Sequence, residues 1–175
     1  EVINPAAHVS GVIVARVESM EKHPDADRLQ VCKVNDGSDI RTVVCGAPNV
    51  TQGMLVPYAQ IGAKLPGFEI SKRKMRGIVS EGMLCGRSEL GLEDIVDGLW
   101  ELPAGLELGQ DVFDAVGMGP SLVLGITPNR PDCLSHIGIA RELAASTGAR
   151  LKPTKWRLLE KGGDVAGQAR VLVRE

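Results

Sequence analysis

The sequence predicts a mainly β protein with α additions: a small antiparallel barrel followed by a strand-and-helix segment. Three observations carry this. Short β-branched runs recur at close intervals up to about residue 85, glycine and proline turns separate them, and one long amphipathic helical pattern is confined to the region after Pro120. The 21 glycines and 10 prolines exceed what a helical bundle carries, while 43% hydrophobic content over 175 residues is enough to bury a core.

Val12 to Val17 is apolar on both faces, as in a strand curled into a barrel whose outer side is partly covered. Leu29 to Val34 alternates, meets Asp36-Gly37, a strong hairpin signal, and Ile40 to Val44 returns as its antiparallel partner. Gly46-Ala47-Pro48-Asn49 breaks that strand. Met54 to Ala59 follows Gly53, and Pro57 within it predicts an edge strand or a bulge. After the turn at Leu65-Pro66-Gly67, Phe68 and Ile70 alternate with polar residues into Ser71-Lys72-Arg73-Lys74. Met83-Leu84-Cys85 is the last short apolar piece. Ser88 to Gly91 gives no more than a helical turn, Leu99 to Leu102 an added strand, and Asp111 to Val116 a short helix closed by Gly117.

From Pro120 the pattern changes. Leu122 to Ile126 reads as a strand, and Thr127-Pro128-Asn129-Arg130-Pro131 as a rigid connector whose prolines oppose a helix. Asp132 is expected to cap a helix from Cys133 to Thr147, terminated by Gly148. Leu134, Ile137, Ala140, Arg141 and Ala144 share one face of it, with Ile139 and Leu143 alongside, so the helix must dock on something. Past Lys152-Pro153 the chain is basic and glycine-rich through Gly162-Gly163, as a linker is, before Val171-Leu172-Val173 opens another element. The expected divisions are 1–118 for the barrel, 119–152 for the strand-helix segment of a small α+β domain, and 153–175 for the linker and the start of the next domain. Glu1 in place of Met, and an end that stops mid-pattern, read as a piece of a longer chain.

Composition narrows the function classes. No apolar run reaches the roughly 18 residues of a membrane span and no signal-like start is present, so the expected location is the cytoplasm. Cys32, Cys45, Cys85 and Cys133 form no Cys-x-x-Cys pair; reduced, buried thiols are expected rather than a zinc or redox site. No Walker A loop, dinucleotide-binding glycine motif or Gly-x-Ser-x-Gly elbow occurs, so no active site and no bound cofactor are expected. Formal net charge is −2, unevenly spread: residues 1–118 hold 11 Lys and Arg against 17 Asp and Glu (−6), and residues 119–175 hold 9 against 5 (+4). Nucleic-acid contact in the first part therefore needs a local basic patch.

Lys72, Arg73, Lys74 and Arg76 are the densest basic run of that acidic part. On one rim of the barrel they would hold phosphates with salt-dependent affinity; a solvated hairpin is the plain alternative. Asn49, Ser80 and Glu81 carry hydrogen-bonding ends that either read a base edge or 2′-hydroxyl or fix their turns. His23-Pro24-Asp25-Ala26-Asp27-Arg28 offers metal ligands, but also an Asx turn and an Asp-Arg pair, and the structural role is preferred. The five aromatics, Tyr58, Phe68, Trp100, Phe113 and Trp156, are scattered and expected mostly in core or interface. Recognition of a folded RNA's shape and backbone thus fits better than serial base stacking.

Three segments together carry a family resemblance: Glu21-Lys22-His23-Pro24-Asp25-Ala26-Asp27-Arg28-Leu29 with Val31-Cys32-Lys33-Val34; Cys45-Gly46-Ala47-Pro48-Asn49-Val50; and Lys74-Met75-Arg76-Gly77-Ile78-Val79-Ser80-Glu81-Gly82-Met83-Leu84-Cys85. They resemble the tRNA-binding OB module shared by phenylalanyl-tRNA synthetase beta subunits, methionyl-tRNA synthetase tails and free-standing tRNA-binding proteins. Ile126-Thr127-Pro128-Asn129-Arg130-Pro131-Asp132-Cys133-Leu134-Ser135, with Gly138-Ile139-Ala140-Arg141-Glu142, resembles the bacterial beta subunit in particular. Gly125 departs from the acidic residue usual before that connector. The resemblance implies an OB-fold Greek-key barrel that binds or positions tRNA, within a class II phenylalanine-tRNA ligase of alpha-two beta-two assembly. It also implies that ATP and Mg2+ act on the alpha subunit and that editing lies later in the beta chain. Ser135-His136-Ile137-Gly138 is similar to the His-Ile-Gly-His motif of class I synthetases, but its next residue is Ile139 and its setting a helix, so it is expected to be a decoy. The alternatives are a free-standing tRNA-binding chaperone and an OB module used mainly for protein contacts.

Overall fold

The computed structural model describes residues 1–94, 98–152, 167, 169, 171 and 172. Most of the expected linker, with Trp156, Gly162-Gly163 and Val173, lies outside the described residues. The chain divides into two units, Glu1–Leu124 and Gly125–Glu175.

In the first unit the strands are β1 (Val2–Ile3), β2 (Ser10–His23), β3 (Ala26–Asn35), β4 (Ile40–Cys45), β5 (Leu55–Leu65), β6 (Phe68–Glu69), β7 (Arg73–Met75), β8 (Ile78–Ser80) and β9 (Met83–Leu84). Helix α1 (Val112–Ala115) and strand β10 (Ser121–Leu122) follow. The main sheet runs β4-β3-β2-β5-β6, all neighbours antiparallel, with β9 also on β5. Three consecutive strands with the next returning beside the first is the Greek-key order the sequence led us to expect. The ring closes where the Glu81 N–H donates to the Thr42 carbonyl at 2.8 Å, bringing the β8–β9 segment against β4.

The 14-residue β2 makes the curvature possible by serving two partners, its first half on β5 and its second on β3. Its register slips between Ser10 and Val12 and again between Val17 and Ser19, and such irregularities bend a strand and increase its twist. At the first slip Gly11 has φ +73°, and a Cβ there would lie 3.1 Å from the Ala63 backbone.

Pro57, expected at an edge or bulge, instead sits within a doubly paired strand. It opposes Val14, whose N–H and C=O bond to Gln110 and Gly109 rather than to β5, so proline costs no bond of the β2–β5 ladder. Its carbonyl still accepts from Cys85 N–H at 3.0 Å. The expected strand at Leu99 to Leu102 is an extended segment without strand pairing; Trp100 N–H reaches the Cys85 carbonyl and Leu102 N–H the Leu55 carbonyl.

Two apolar clusters fill the unit. Val17, Cys32, Val34, Val43, Val56 and Tyr58 pack inside the barrel; Val14, Leu55, Leu90, Val112 and Phe113 pack under α1 and the loops before it. Asp111 caps α1, its carboxylate accepting from the Phe113 and Asp114 N–H groups. The strand expected from Leu122 to Ile126 is only the two residues of β10, antiparallel to β1, a partner that the sequence reading missed.

In the second unit the helix α2 (His136–Thr147) begins three residues later than expected. Pro131–Cys133 forms a 3-10 turn, and Asp132 does not cap the helix because Arg130 holds its carboxylate at 2.8 Å. Ser135 caps instead, accepting from Gly138 N–H at 3.1 Å, while Gly148 ends the helix at φ 70° as expected. His136 is exposed at the first helical position. Gly138 fits tightly: a Cβ there would fall 1.8 Å from the Asp132 carbonyl oxygen. A Cβ at Gly125 would meet nothing within 4 Å.

Candidate nucleic-acid interface

The basic run forms a hairpin of its own, β7 with β8, in the register Arg73↔Ser80, Lys74↔Val79 and Met75↔Ile78. Its two-residue loop is Arg76-Gly77, at φ 43° and φ 94°. Positive φ at both central positions belongs to the turn type whose twist suits a hairpin, but a non-glycine residue there costs roughly 1 kcal/mol. Two contacts offset that strain. Arg76 Nη1 donates to the Asp25 carbonyl at 3.1 Å, and His23 Nε2 lies 3.2 Å from the Met75 carbonyl.

His23 is buried, and its Nδ1 accepts from Asp25 N–H at 3.1 Å, which leaves Nε2 as the donor to Met75. Both ring nitrogens are thereby engaged in fixing the hairpin tip against the Pro24-Asp25 turn between β2 and β3. The turn there is made by the histidine, not by an Asx side chain.

Strand alternation splits the four basic residues. Arg73 and Met75 share the face of buried Ser80, while Lys74 shares the opposite face with Val79. Lys72, just before β7, pairs with Glu81 at 3.3 Å. The four are thus gathered on one hairpin but not on one face.

The three polar candidates make specific internal bonds. Asn49 Nδ2 donates to the Leu99 carbonyl and its Oδ1 accepts from Leu99 N–H, both at 2.9 Å, tying the Cys45–Val50 loop to the extended segment. Ser80 Oγ accepts from Val44 N–H at 3.1 Å and donates to the Gly82 carbonyl at 2.9 Å. Glu81 accepts from Thr42 N–H at 3.3 Å; that bond and Lys72 hold its carboxyl below the usual range. The Tyr58 hydroxyl donates to the Glu81 carbonyl, and burial pushes its pKa up to about 12. Among the candidate side chains, therefore, Ser80 is buried, Asn49 is exposed but spends its amide on backbone partners, and Arg73 and Lys74 are exposed.

A second charged cluster lies at the hairpin between β3 and β4. Asp36 is buried and accepts from Ser38 N–H, Asp39 N–H and Arg41 Nε at 2.9, 2.7 and 2.9 Å. Burial raises its carboxyl, but these donors win and its pKa lies below the ordinary value. The cysteines are buried as expected, and burial pushes Cys32 to about 11 and Cys85 to about 12, so both thiols resist ionisation. In the second unit Arg130 reaches Asp132 and Glu142 at 2.8 and 2.7 Å, and its hydrogen bond holds the Asp132 carboxyl at about 2. These two carboxylates and Cys133 come close together, with the guanidinium already seated on both acids.

The four aromatics among the described residues differ in burial. Tyr58 and Phe113 are core, as expected; Trp100 is half-buried beneath the Arg87 guanidinium at 5.0 Å. Phe68, paired with Leu65 across the Pro66-Gly67 turn, is 45% exposed. It lines a crevice of about 140 Å³ with Ile70, Arg73, Met75 and Met83. The sequence reading missed this hollow; its only signal was an aromatic directly following a Pro-Gly turn.

Among the described residues no helix is long and apolar enough to cross a membrane. The family described as "Putative tRNA binding domain" matches residues 12–111. The phenylalanine-tRNA ligase beta subunit of Aromatoleum aromaticum is 51% identical over 150 residues, 85% of this chain and 19% of that protein. The one from Geobacter sulfurreducens is 49% identical over 166 residues, 94% of this chain and 21% of its own length. Both alignments are longer than the family match, so the likeness extends past the barrel. The chain spans about a fifth of the length of these curated relatives. A solved structure of a MetRS related protein from Pyrococcus horikoshii gives a TM-score of 0.45 at 22% identity, over 58% of this chain and 87% of that one. With more than half of its residues matched, on a Greek-key barrel that carries all three motif segments, the chain belongs to the tRNA binding domain family.

Proposed function

We propose that this chain is the non-catalytic, tRNA-positioning part of a phenylalanine-tRNA ligase beta subunit. The observation that carries the reading is the β7–β8 hairpin, which concentrates Lys72, Arg73, Lys74 and Arg76 on a short projection from a barrel whose other charges are mostly acidic. Phosphate contacts orient a nucleic acid without needing a reactive group, which suits a positioning role. Asn49 and Ser80 serve it indirectly by holding the loops that flank the hairpin, and Glu81 orients Lys72. Amino-acid activation by a class II centre, with ATP and Mg2+, belongs on an alpha subunit, in an alpha-two beta-two enzyme of the cytoplasm. The exposed apolar residues of β1 and β10, with those of α2, support a further role in joining the barrel to the rest of its subunit.

The test is tRNA affinity against salt concentration, for this chain and for a variant with Lys72, Lys74 and Arg76 all replaced by alanine. Each lost phosphate contact should lower the steepness of log affinity against log salt by roughly 0.7 to 0.9, hence by roughly 2 to 3 for three. Binding that is insensitive to salt, or that the triple replacement leaves unchanged, would remove the RNA role from this hairpin.

A further inference from the structure

The Phe68 crevice is unusual in pairing exposed apolar side chains with the basic hairpin. It is lined by buried Ile70, by Phe68 and Met75 at 45% and 39% exposure, and by Arg73. A volume of about 140 Å³ suits one flat ring, since an apolar cavity of roughly 150 Å³ takes up benzene. Phosphate is a poor occupant of such a lining, which includes apolar Phe68, Ile70, Met75 and Met83 and the acidic Glu69. An aromatic base is a good one, because any base can pack its face against an aromatic ring and a thioether.

We propose that this crevice receives a single unstacked nucleobase of the bound RNA while Arg73, on the same face, holds a phosphate beside it. The inference rests on the tRNA-positioning reading and specifies it: the recognised feature is a single-stranded nucleotide rather than the side of a helix. Charge complementarity selects RNA over an apolar peptide side chain, since the hairpin carrying Arg73 and Met75 also carries Lys72, Lys74 and Arg76. It also gives the hairpin's two faces separate tasks. Arg73 and Met75 lie on the crevice face, and Lys74 lies on the face that meets backbone phosphate.

The experiment compares this chain with Phe68→Ala and Phe68→Trp variants. Each is titrated with a single-stranded hexanucleotide carrying one 2-aminopurine and with a blunt RNA duplex of equal charge. Phe68 is half outside the fold, so the variants should keep their thermal midpoint, which is measured first. The expected result is a quenched 2-aminopurine signal and tighter binding of the single strand. Phe68→Ala should weaken it roughly tenfold and leave the duplex unchanged, and Phe68→Trp should restore it. Equal affinity for both RNAs, undiminished by Phe68→Ala, would overturn the base pocket while leaving the phosphate role of the hairpin standing. Absence of binding to either RNA would overturn both, and points to an apolar side chain of a protein partner as occupant.

Discussion

Replacing Asn49 by alanine separates the two roles that its position in the Cys45–Val50 loop allows. Its side chain makes two 2.9 Å bonds to the backbone N–H and C=O of Leu99, a residue that is 7% exposed. Each such bond contributes about 1 kcal/mol, and stranding a buried backbone group adds about 1 kcal/mol more. The expected loss is about 2 to 3 kcal/mol. With a urea slope of roughly 2 kcal/mol per molar, the unfolding midpoint should fall by about 1 M. Asn49→Asp should be intermediate, because it keeps the acceptor for Leu99 N–H but loses the donor to its carbonyl. The assay is urea unfolding of all three proteins, followed by tRNA titration under conditions where each is folded. If Asn49→Ala leaves the midpoint unchanged but weakens tRNA binding, the side chain reads RNA and the structural argument fails.

Asp36→Asn removes a buried carboxylate held by Arg41 and two backbone donors, and should cost about 1 to 2 kcal/mol at neutral pH, Arg41 being partly solvated. The Asp36 pKa is lower folded than unfolded, so its contribution is complete above about pH 4 and fades as pH falls through the folded value. Denaturation midpoints of the two proteins should therefore converge toward acid, and a gap that stays constant below pH 3 would disprove the linkage. Gly138→Ala should destabilise α2 although alanine is the better helix former by about 1 kcal/mol, because the added Cβ would lie 1.8 Å from the Asp132 carbonyl oxygen. A rise in helical ellipticity or melting temperature would show that the 3-10 turn yields easily.

Much of the barrel was legible because local signals and the global fold agree. Leu29 to Val34, Asp36-Gly37 and Ile40 to Val44 spell a hairpin by alternation and turn chemistry, and β3 and β4 follow it closely. The failures have directional causes. Pro57 suggests an edge or a bulge because it lacks a donor, yet at a position where the partner's groups face away the donor is not needed. Asp132 reads as the cap because it precedes the helical pattern, but its neighbour Arg130 competes for the carboxylate and Ser135 is left to cap. Of the candidate site, the basic run and motif loops could be listed from sequence, but their sides could not. The turn at Arg76-Gly77 lacks the usual Asn-Gly signal and depends on His23 and Asp25, some fifty residues earlier in the chain, so the hairpin's position, and with it which of its faces meets the Phe68 crevice, rests on tertiary contact.

The charge pattern then constrains what kind of binder this is. Residues 1–118 carry a net −6, so the average field opposes an RNA at a distance. That repulsion is long-ranged and decays over about 8 Å at physiological salt, whereas a phosphate resting on the hairpin is within contact distance of its lysines and arginines. Adding salt weakens both, so part of the lost attraction is returned by weakened repulsion, and the measured salt dependence should be shallower than four basic residues alone would give. Base insertion at Phe68 adds a contact that salt hardly affects. A binder built this way contributes little to long-range capture and most of its selectivity at close approach. Placing an RNA already delivered by another part of a larger assembly matches that balance better than finding one in solution.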